Sequence, residues 1–553
     1  MIRKVLALSL TSTLVLSGCH SGLTTTAPPV TPVITPTTSA QVIKHVVVIF
    51  GENVSFDHYF GTYPTASNPG SDSVKFIAAS GTPVPNNLVS QNLLTTNPNT
   101  SIANGAGASL PFRLDPAQAA TGDQDHNYGP EQTAFDGGKM DLFPLSVGVP
   151  DSSALASSTG AQAIATTNAL TMGYYDGNTV TGLWNYAQHY ALNDHSFGTT
   201  FGPSTVGAIN LISGQTNGVI NAVNAGSSVI SDGNGGLTDI GDTDPTGDLC
   251  SSTSSTFGMS GKNIGDLLNT AGVTWGFFEG GFDLTVTNAD GSTACGRTTT
   301  SAVTNTKKAD YIPHHEPFQY YASTANPNHL RPTSTANIGT TDQANHQYDT
   351  HDFTDALAAG VMPAVSFLKA PGYQDAHAGY SDPLDEQTFI INTINAIESS
   401  SFWNSTAIII AYDDSDGWYD HVSNLVNGSA TTADSLNGAG VCISANSAAN
   451  ALGGVVAATA HAQGRCGYGP RLPLMVISPW ANKNSIDSTV TDQSSITRFI
   501  EDTFLSSTRI GGGSFDSIAG TLDNMFNFSN GAVIPNPNVV LLNPKTGAVT
   551  SGN

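Results

Sequence analysis

The segment His45-Val46-Val47-Val48-Ile49-Phe50-Gly51-Glu52-Asn53 decides the fold. Five apolar residues in a row, with no polar alternation, describe a strand buried on both faces, and such strands belong to parallel sheets covered by helices on each side. The run stops on a glycine, followed at once by an acid and an amide. A second run, 407–411 (AIIIA), stops in the same way on Asp413-Asp414-Ser415-Asp416. Further apolar runs lie at 273–278 (VTWGFF), 362–368 and 472–477, with helical stretches between them at 263–270, 385–399 and 493–504. Strands alternating with helices predict an α/β fold, a three-layer α/β/α sandwich.

Composition sets the outer limits. The 553 residues are 39% hydrophobic, enough for a large core, and only 11% charged, with Gly, Ser, Thr, Asn and Ala filling the gap. A formal charge of −25 repels nucleic acid and anionic membranes and excludes a phosphate-backbone binder. Arg3 and Lys4 precede a short apolar stretch, 5–16, which has the form of an export signal and is too short to span a bilayer. Leu16-Ser17-Gly18-Cys19 resembles a bacterial lipoprotein signal, in which the cysteine is lipidated. The Thr/Pro-rich segment after it reads as a stiff tether. The expected organisation is therefore a signal peptide over 1–18, a tether over 19–41 and one folded domain over 42–553. Its membrane contact would run only through Cys19, at the outer membrane, with release to the periplasm or the medium if the signal is a conventional one. Oligomeric state is not legible. The remaining cysteines, Cys250, Cys295, Cys442 and Cys466, are even in number and suit an oxidising compartment. Three pairings exist, and proximity favours Cys250–Cys295 with Cys442–Cys466.

Functional residues of open α/β sheets gather at the carboxyl ends of the strands. Glu52, Asn53, Asp413 and Asp414 offer hard oxygen ligands there for one divalent cation, calcium, magnesium or manganese rather than zinc. The alternative is that these acids cap the loops that follow. Phe201-Gly202-Pro203-Ser204-Thr205 precedes an apolar helical stretch and puts Ser204 at a helix N-terminus, where N–H groups and the helix dipole favour a phosphoryl group. A plain N-cap serine is the competing reading. Histidines recur at His126, His314, His315 and His377; imidazoles beside a phosphoryl group bind its oxygens or protonate a leaving alkoxide.

The blocks GENVSFDHYFGTYP (51–64), FGPSTVGAINLISGQT (201–216), HHEPFQYY (314–321), DDSDGWYDHV (413–422) and GYGPRLPLMVISPWA (467–481) resemble those of the phosphoesterase family that contains bacterial phospholipases C and AcpA-type acid phosphatases. The resemblance runs in the family's order from about residue 45 to 528. It implies an alkaline-phosphatase-like fold, Ser204 as nucleophile and a metal held by Glu52, Asn53, Asp413 and Asp414. It also implies a phosphate pocket lined by His126, His314, His315 and His377. Three departures stand out. Gly207-Ala208 replaces a larger Asn-His or Asn-Arg pair, Asp416 adds a carboxylate to the acid loop, and Ser488 follows Asp487 where many relatives have histidine.

The implied reaction is a double displacement on a phosphate ester through a phosphoserine, with a histidine such as His377 as general acid and His126 beside it. The substrate is a small phosphate ester or a phospholipid. The short stretch after residue 530 leaves no room for a separate lipid-binding domain and favours the phosphatase type. A two-zinc site drawing on Asp420 and His421 is a rival, as is a non-enzymatic surface lipoprotein, which would explain the tether but not the acids at two strand ends. A sulfatase is rejected because Ser204 lacks the following Pro and Arg which that chemistry needs.

Overall fold

The computed structural model describes residues 36–150, 167–232, 235–423 and 468–552. The signal segment, Cys19, most of the tether, Cys442 and Cys466 lie outside the described residues.

An eight-stranded sheet forms the centre. In chain order its strands are β1 (His45–Gly51), β2 (Ala191–Asn193), β3 (Trp275–Glu279), β4 (Gln347–Asp349), β5 (Val365–Lys369), β6 (Thr406–Tyr412), β7 (Leu474–Ile477) and β8 (Ser485–Asp487). Across the sheet they run β4-β3-β5-β1-β6-β7-β2-β8. The two acid-ended runs are direct neighbours: β1 and β6 pair in parallel from His45 against Thr406 to Gly51 against Tyr412. Val46, Val47 and Val48 and the facing Ile408 and Ile409 are completely buried, as continuous apolar runs require.

All five strands expected from apolar runs are present, with starts shifted by up to three residues. The expectation of a purely parallel sheet is corrected: β7 pairs antiparallel with both β6 and β2. An apolar run reports burial on two faces and carries no information on strand direction. β2, β4 and β8 were not legible, because each has only three residues and ends on a polar one.

Helices flank the sheet as the three-layer reading requires. Those introduced here are α1 (Thr181–His189), α2 (Ser204–Ser213), α3 (Ile264–Ala271), α4 (Thr350–Ala359), α5 (Pro383–Glu398) and α6 (Gln493–Phe504). One layer contains α1, α4 and α5, with α4 and α5 lining a common groove of about 320 Å³. The other packs α2 against α3 and α6. The three expected helices are present, and their starts are set by capping side chains: Asn263 accepts from Asp266 N, Asp382 from Leu384 N and Asp492 from Ser495 N. All ten residues of α2 are buried, so this helix lies inside the molecule.

Outside the sheet, Cys250 and Cys295 form a disulfide, the first of the two expected pairs. It sits just before a hairpin of Thr298–Thr300 and Lys307–Ala309.

Candidate active site

The β1–β6 register delivers Glu52 and Asp413 side by side, one residue past the last paired positions. Backbone bonds then lace the strand ends together: Asp413 N donates to Gly51 O (3.3 Å), Val54 N to Asp414 O (2.9 Å) and Glu52 N to Asp375 O (3.0 Å). Asn53 turns back with φ +59°, a left-handed conformation that Asn tolerates better than most residues, and Asp416 does the same at +53°. This brings Asn53 N within 3.0 Å of Asp413 Oδ1, and its amide nitrogen within 2.9 Å of Asp416 Oδ1.

Ser204 is the first residue of α2, with Pro203 in the capping position, so the competing N-cap role falls away. Its hydroxyl, 1% exposed, faces two of the expected metal ligands, Glu52 Oε2 at 3.0 Å and Asp414 Oδ2 at 3.3 Å. The departure at Gly207 has a steric cause. A Cβ there would lie 2.2 Å from the carbonyl oxygen of Asp413, so α2 packs directly on the acid loop and no side chain fits.

The four histidines take different charge states. His126 Nδ1 lies 3.3 Å from Asp416 Oδ1 and 2.9 Å from Gln124 O. Burial alone would lower its pKa, but Asp414, Asp416, Asp123 and Asp242 outweigh it and hold the pKa well above the usual range. His314, near Asp244 at 3.5 Å, is likewise raised by Asp242 and Asp244 against the cost of burial. His315 lies 3.3 Å from Glu52 Oε1 and is pushed well down by burial, Lys369 and His314. His377 is pushed well down by burial and by His126, and its Nδ1 lies 2.6 Å from Ala378 O, which leaves a neutral ring with Nε2 free. The rings of His126 and His377 are 5.9 Å apart.

Three groups here were not found in the sequence. Lys369, the last residue of β5 and fully buried, contacts Glu52 Oε1 and lies 3.2 Å from Asp413 Oδ2. Its signal was legible as a cation closing the run VSFLK beside two acid-ended strands. Glu131 accepts from Gly202 N at 3.0 Å and from Ser415 Oγ at 2.7 Å, tying the turn before Ser204 to the acid loop. Gln493 does similar work, donating to Asp413 O (2.5 Å) and accepting from Thr199 N (2.9 Å). Neither of the last two left a signal.

The donor set fits a hard divalent cation. Asn53 Oδ1 is buried with no partner among the described residues, and so is Asp416 Oδ2. Glu52, Asp413, Asp414 and Asp416 outnumber Lys369 and His126, the nearby cations. Burial first, then neighbouring carboxylates, drive the pKa values of Glu52 and Asp416 well up, and burial and Asp413 do so for Asp414 despite His126. Such a site carries surplus negative charge that a cation relieves. The Asp420–His421 ligands of the two-zinc rival are engaged elsewhere: Arg471 lies 3.0 Å from Asp420 and 3.2 Å from Asp57, and His421 N donates to Asp57 at 2.9 Å. A tighter His-containing group, Asp123, His126 and His377, adjoins the pocket.

Comparison with known proteins agrees with this arrangement. The phosphoesterase family matches residues 43–505. A non-hemolytic phospholipase C of Pseudomonas aeruginosa is 30% identical over 192 residues, 32% of this chain and only 25% of that protein's own length. Phospholipase C A of Mycobacterium tuberculosis (strain H37Rv) is 23% identical over 525 residues, 92% of this chain and 81% of that protein. Among solved structures, a protein in the alkaline phosphatase superfamily from Vibrio parahaemolyticus aligns over 74% of each chain, with 12% identity and a TM-score of 0.25. The chain belongs to the phosphoesterase family.

Proposed function

We propose that the protein hydrolyses phosphate esters, with Ser204 as the nucleophile and a phosphoserine intermediate. The observation that carries the reading is Ser204 itself, a buried hydroxyl at a helix N-terminus held on Glu52 and Asp414. Glu52, Asn53, Asp413 and Asp414 would hold one divalent ion, which when bound supplies positive charge that lowers the hydroxyl's pKa and offsets phosphoryl charge. Glu52 and Asp414 orient the serine Oγ and accept its proton as it attacks phosphorus. The N-terminus of α2 faces the phosphoryl oxygens with its N–H groups. His126 and His314, held cationic by surrounding carboxylates, bind those oxygens. His126 also supplies the proton to the departing alkoxide, a role its charge state suits better than that of His377. His377, neutral with Nε2 free, then accepts a proton from the water that cleaves the phosphoserine, and a free alcohol and inorganic phosphate leave.

The substrate is a phosphomonoester or a phospholipid; the phospholipase C names of the relatives support the second, and the occluded, strongly acidic setting the first. Among the described residues no helix is long and apolar enough to cross a membrane. The Cys250–Cys295 disulfide supports export to an oxidising compartment. The test is release of phosphate from phenyl phosphate and from phosphatidylcholine, with and without chelator. We expect chelator-sensitive turnover by wild type and none by Ser204→Ala at unchanged Tm. Wild-type turnover by a normally folded Ser204→Ala would remove the nucleophile.

A further inference from the structure

Lys308 is a cation at the pocket with no ion-pair partner among the described residues. Its neighbour Lys307 is paired with Asp290 at 2.7 Å, and Lys369 is spent on Glu52 and Asp413. Lys308 is half-buried, and what holds it is an aromatic face: Nζ lies 3.6 Å from the centroid of Tyr380. Tyr380 belongs to the pocket. Its ring stacks on His377 at 4.2 Å, and its hydroxyl donates to Asp375 at 3.2 Å. The positive charge reaches further, depressing His314, His315 and His377 after the larger effect of burial on each.

The lysine is positioned rather than loose. It occupies the middle of the Lys307–Ala309 strand, opposite Thr299. The hairpin is fixed at its base by the Cys250–Cys295 disulfide and by the Arg297–Asp310 ion pair at 3.0 Å. Gly372 leaves room for the lysine stem, since a Cβ there would lie 3.2 Å from Lys308 Cγ. In a chain of net charge −25, a fixed cation with no bound carboxylate beside a phosphate pocket attracts a second anion and repels a second cation.

We propose that Lys308 is a specificity-determining residue that selects phosphate esters whose leaving group carries a further anionic group, a carboxylate or a second phosphate, over those with a cationic leaving group. This rests on the phosphate-ester reading above. The experiment measures kcat/KM for wild type, Lys308→Gln and Lys308→Arg on phenyl phosphate, fructose 1,6-bisphosphate and phosphocholine. In Lys308→Gln, the ratio of fructose 1,6-bisphosphate to phenyl phosphate should fall about ten-fold, as loss of a charge-assisted contact predicts. The ratio of phosphocholine to phenyl phosphate should rise, and Lys308→Arg should restore both. A proportional fall on all three substrates would mean that Lys308 only supports Tyr380, and unchanged ratios would mean that it meets no substrate; either result overturns the proposal. Wild type inactive on all three would instead sink the phosphate-ester reading, so the two failures are distinguishable.

Discussion

Glu131 is the residue whose removal separates chemistry from folding most cleanly. Its two oxygens take one hydrogen bond from the turn before the nucleophile and one from the acid loop. Glu131→Ala should therefore leave the fold standing and lower kcat by roughly 10–100-fold, the usual cost of losing a group that orients a site. Equal kcat in the variant would show that the two loops hold each other without it. Gly207 makes a sharper case. With 2.2 Å between an added Cβ and the Asp413 carbonyl, Gly207→Ala must push α2 off the acid loop. Displacing the nucleophile by about 1 Å costs on the order of 100-fold in rate. A crystal structure of the variant with Ser204 unmoved and activity intact would refute this account. Much of the site at this scale was legible. Glu52, Asn53, Asp413 and Asp414 follow apolar runs directly, and Ser204 follows a Gly-Pro turn. Lys369 was missed because the strand was ended one residue early, at Leu368. Glu131 was missed because an acid in an ordinary short helix has the same spacing whether it faces water or a loop far away in sequence.

At the scale of elements, what the sequence revealed was burial, and what it hid was pairing. The runs that became β1, β5 and β6 were legible because both faces are covered. The direction of β7 and the existence of the three-residue strands depend on partners distant in sequence. The end of α5 offers a test of how such an element is held. Glu398 accepts from Tyr190 Oη at 2.6 Å and from Val540 N at 2.8 Å. Burial pushes its pKa up to about 7, against the pull of those two donors. The folded value lies above the unfolded value of 4.5, so its contribution to stability is complete below pH 4.5 and is lost as pH rises through about 7. Relative to wild type, Glu398→Gln should gain stability steadily over that window and level off above it, by at most roughly 3 kcal/mol for a shift of this size. Urea melts of both proteins at pH 4.5, 6 and 8 measure the gap. A gap that is constant with pH would show that Glu398 is ionised throughout.

For the whole molecule, the question is how many cations the fold holds. One divalent ion per chain is expected by elemental analysis, absent from an Asp413→Asn, Asp414→Asn double variant that still folds. Undiminished metal in that variant would move the site elsewhere. Two ions per chain would point to Asp123, His126 and His377 as a second ligand group. Because the ion binds only the folded state, wild-type Tm should rise with its concentration, and the double variant's should not. The anchor makes a separate prediction. Cys19→Ser should release an active protein from membranes, whereas wild type found soluble with a mature N-terminus beyond residue 19 would identify a conventional signal.

The pairing of β1 with β6 has a consequence for how this chain can change over generations. Both strands run parallel and in register, and their ligands come immediately after the last paired residues. Deleting one residue from either strand would slide one half of the ligand set past the other by about 3.3 Å and turn its side chains to the opposite face. Substitutions within 46–50 and 407–411 that keep an apolar side chain are therefore tolerable, while a change of length there is not. Insertions and deletions among homologues should avoid 45–53 and 406–416 and accumulate in the connections at the edges of the sheet. What lineages of this protein must preserve in these two segments is the count of residues more than their identity.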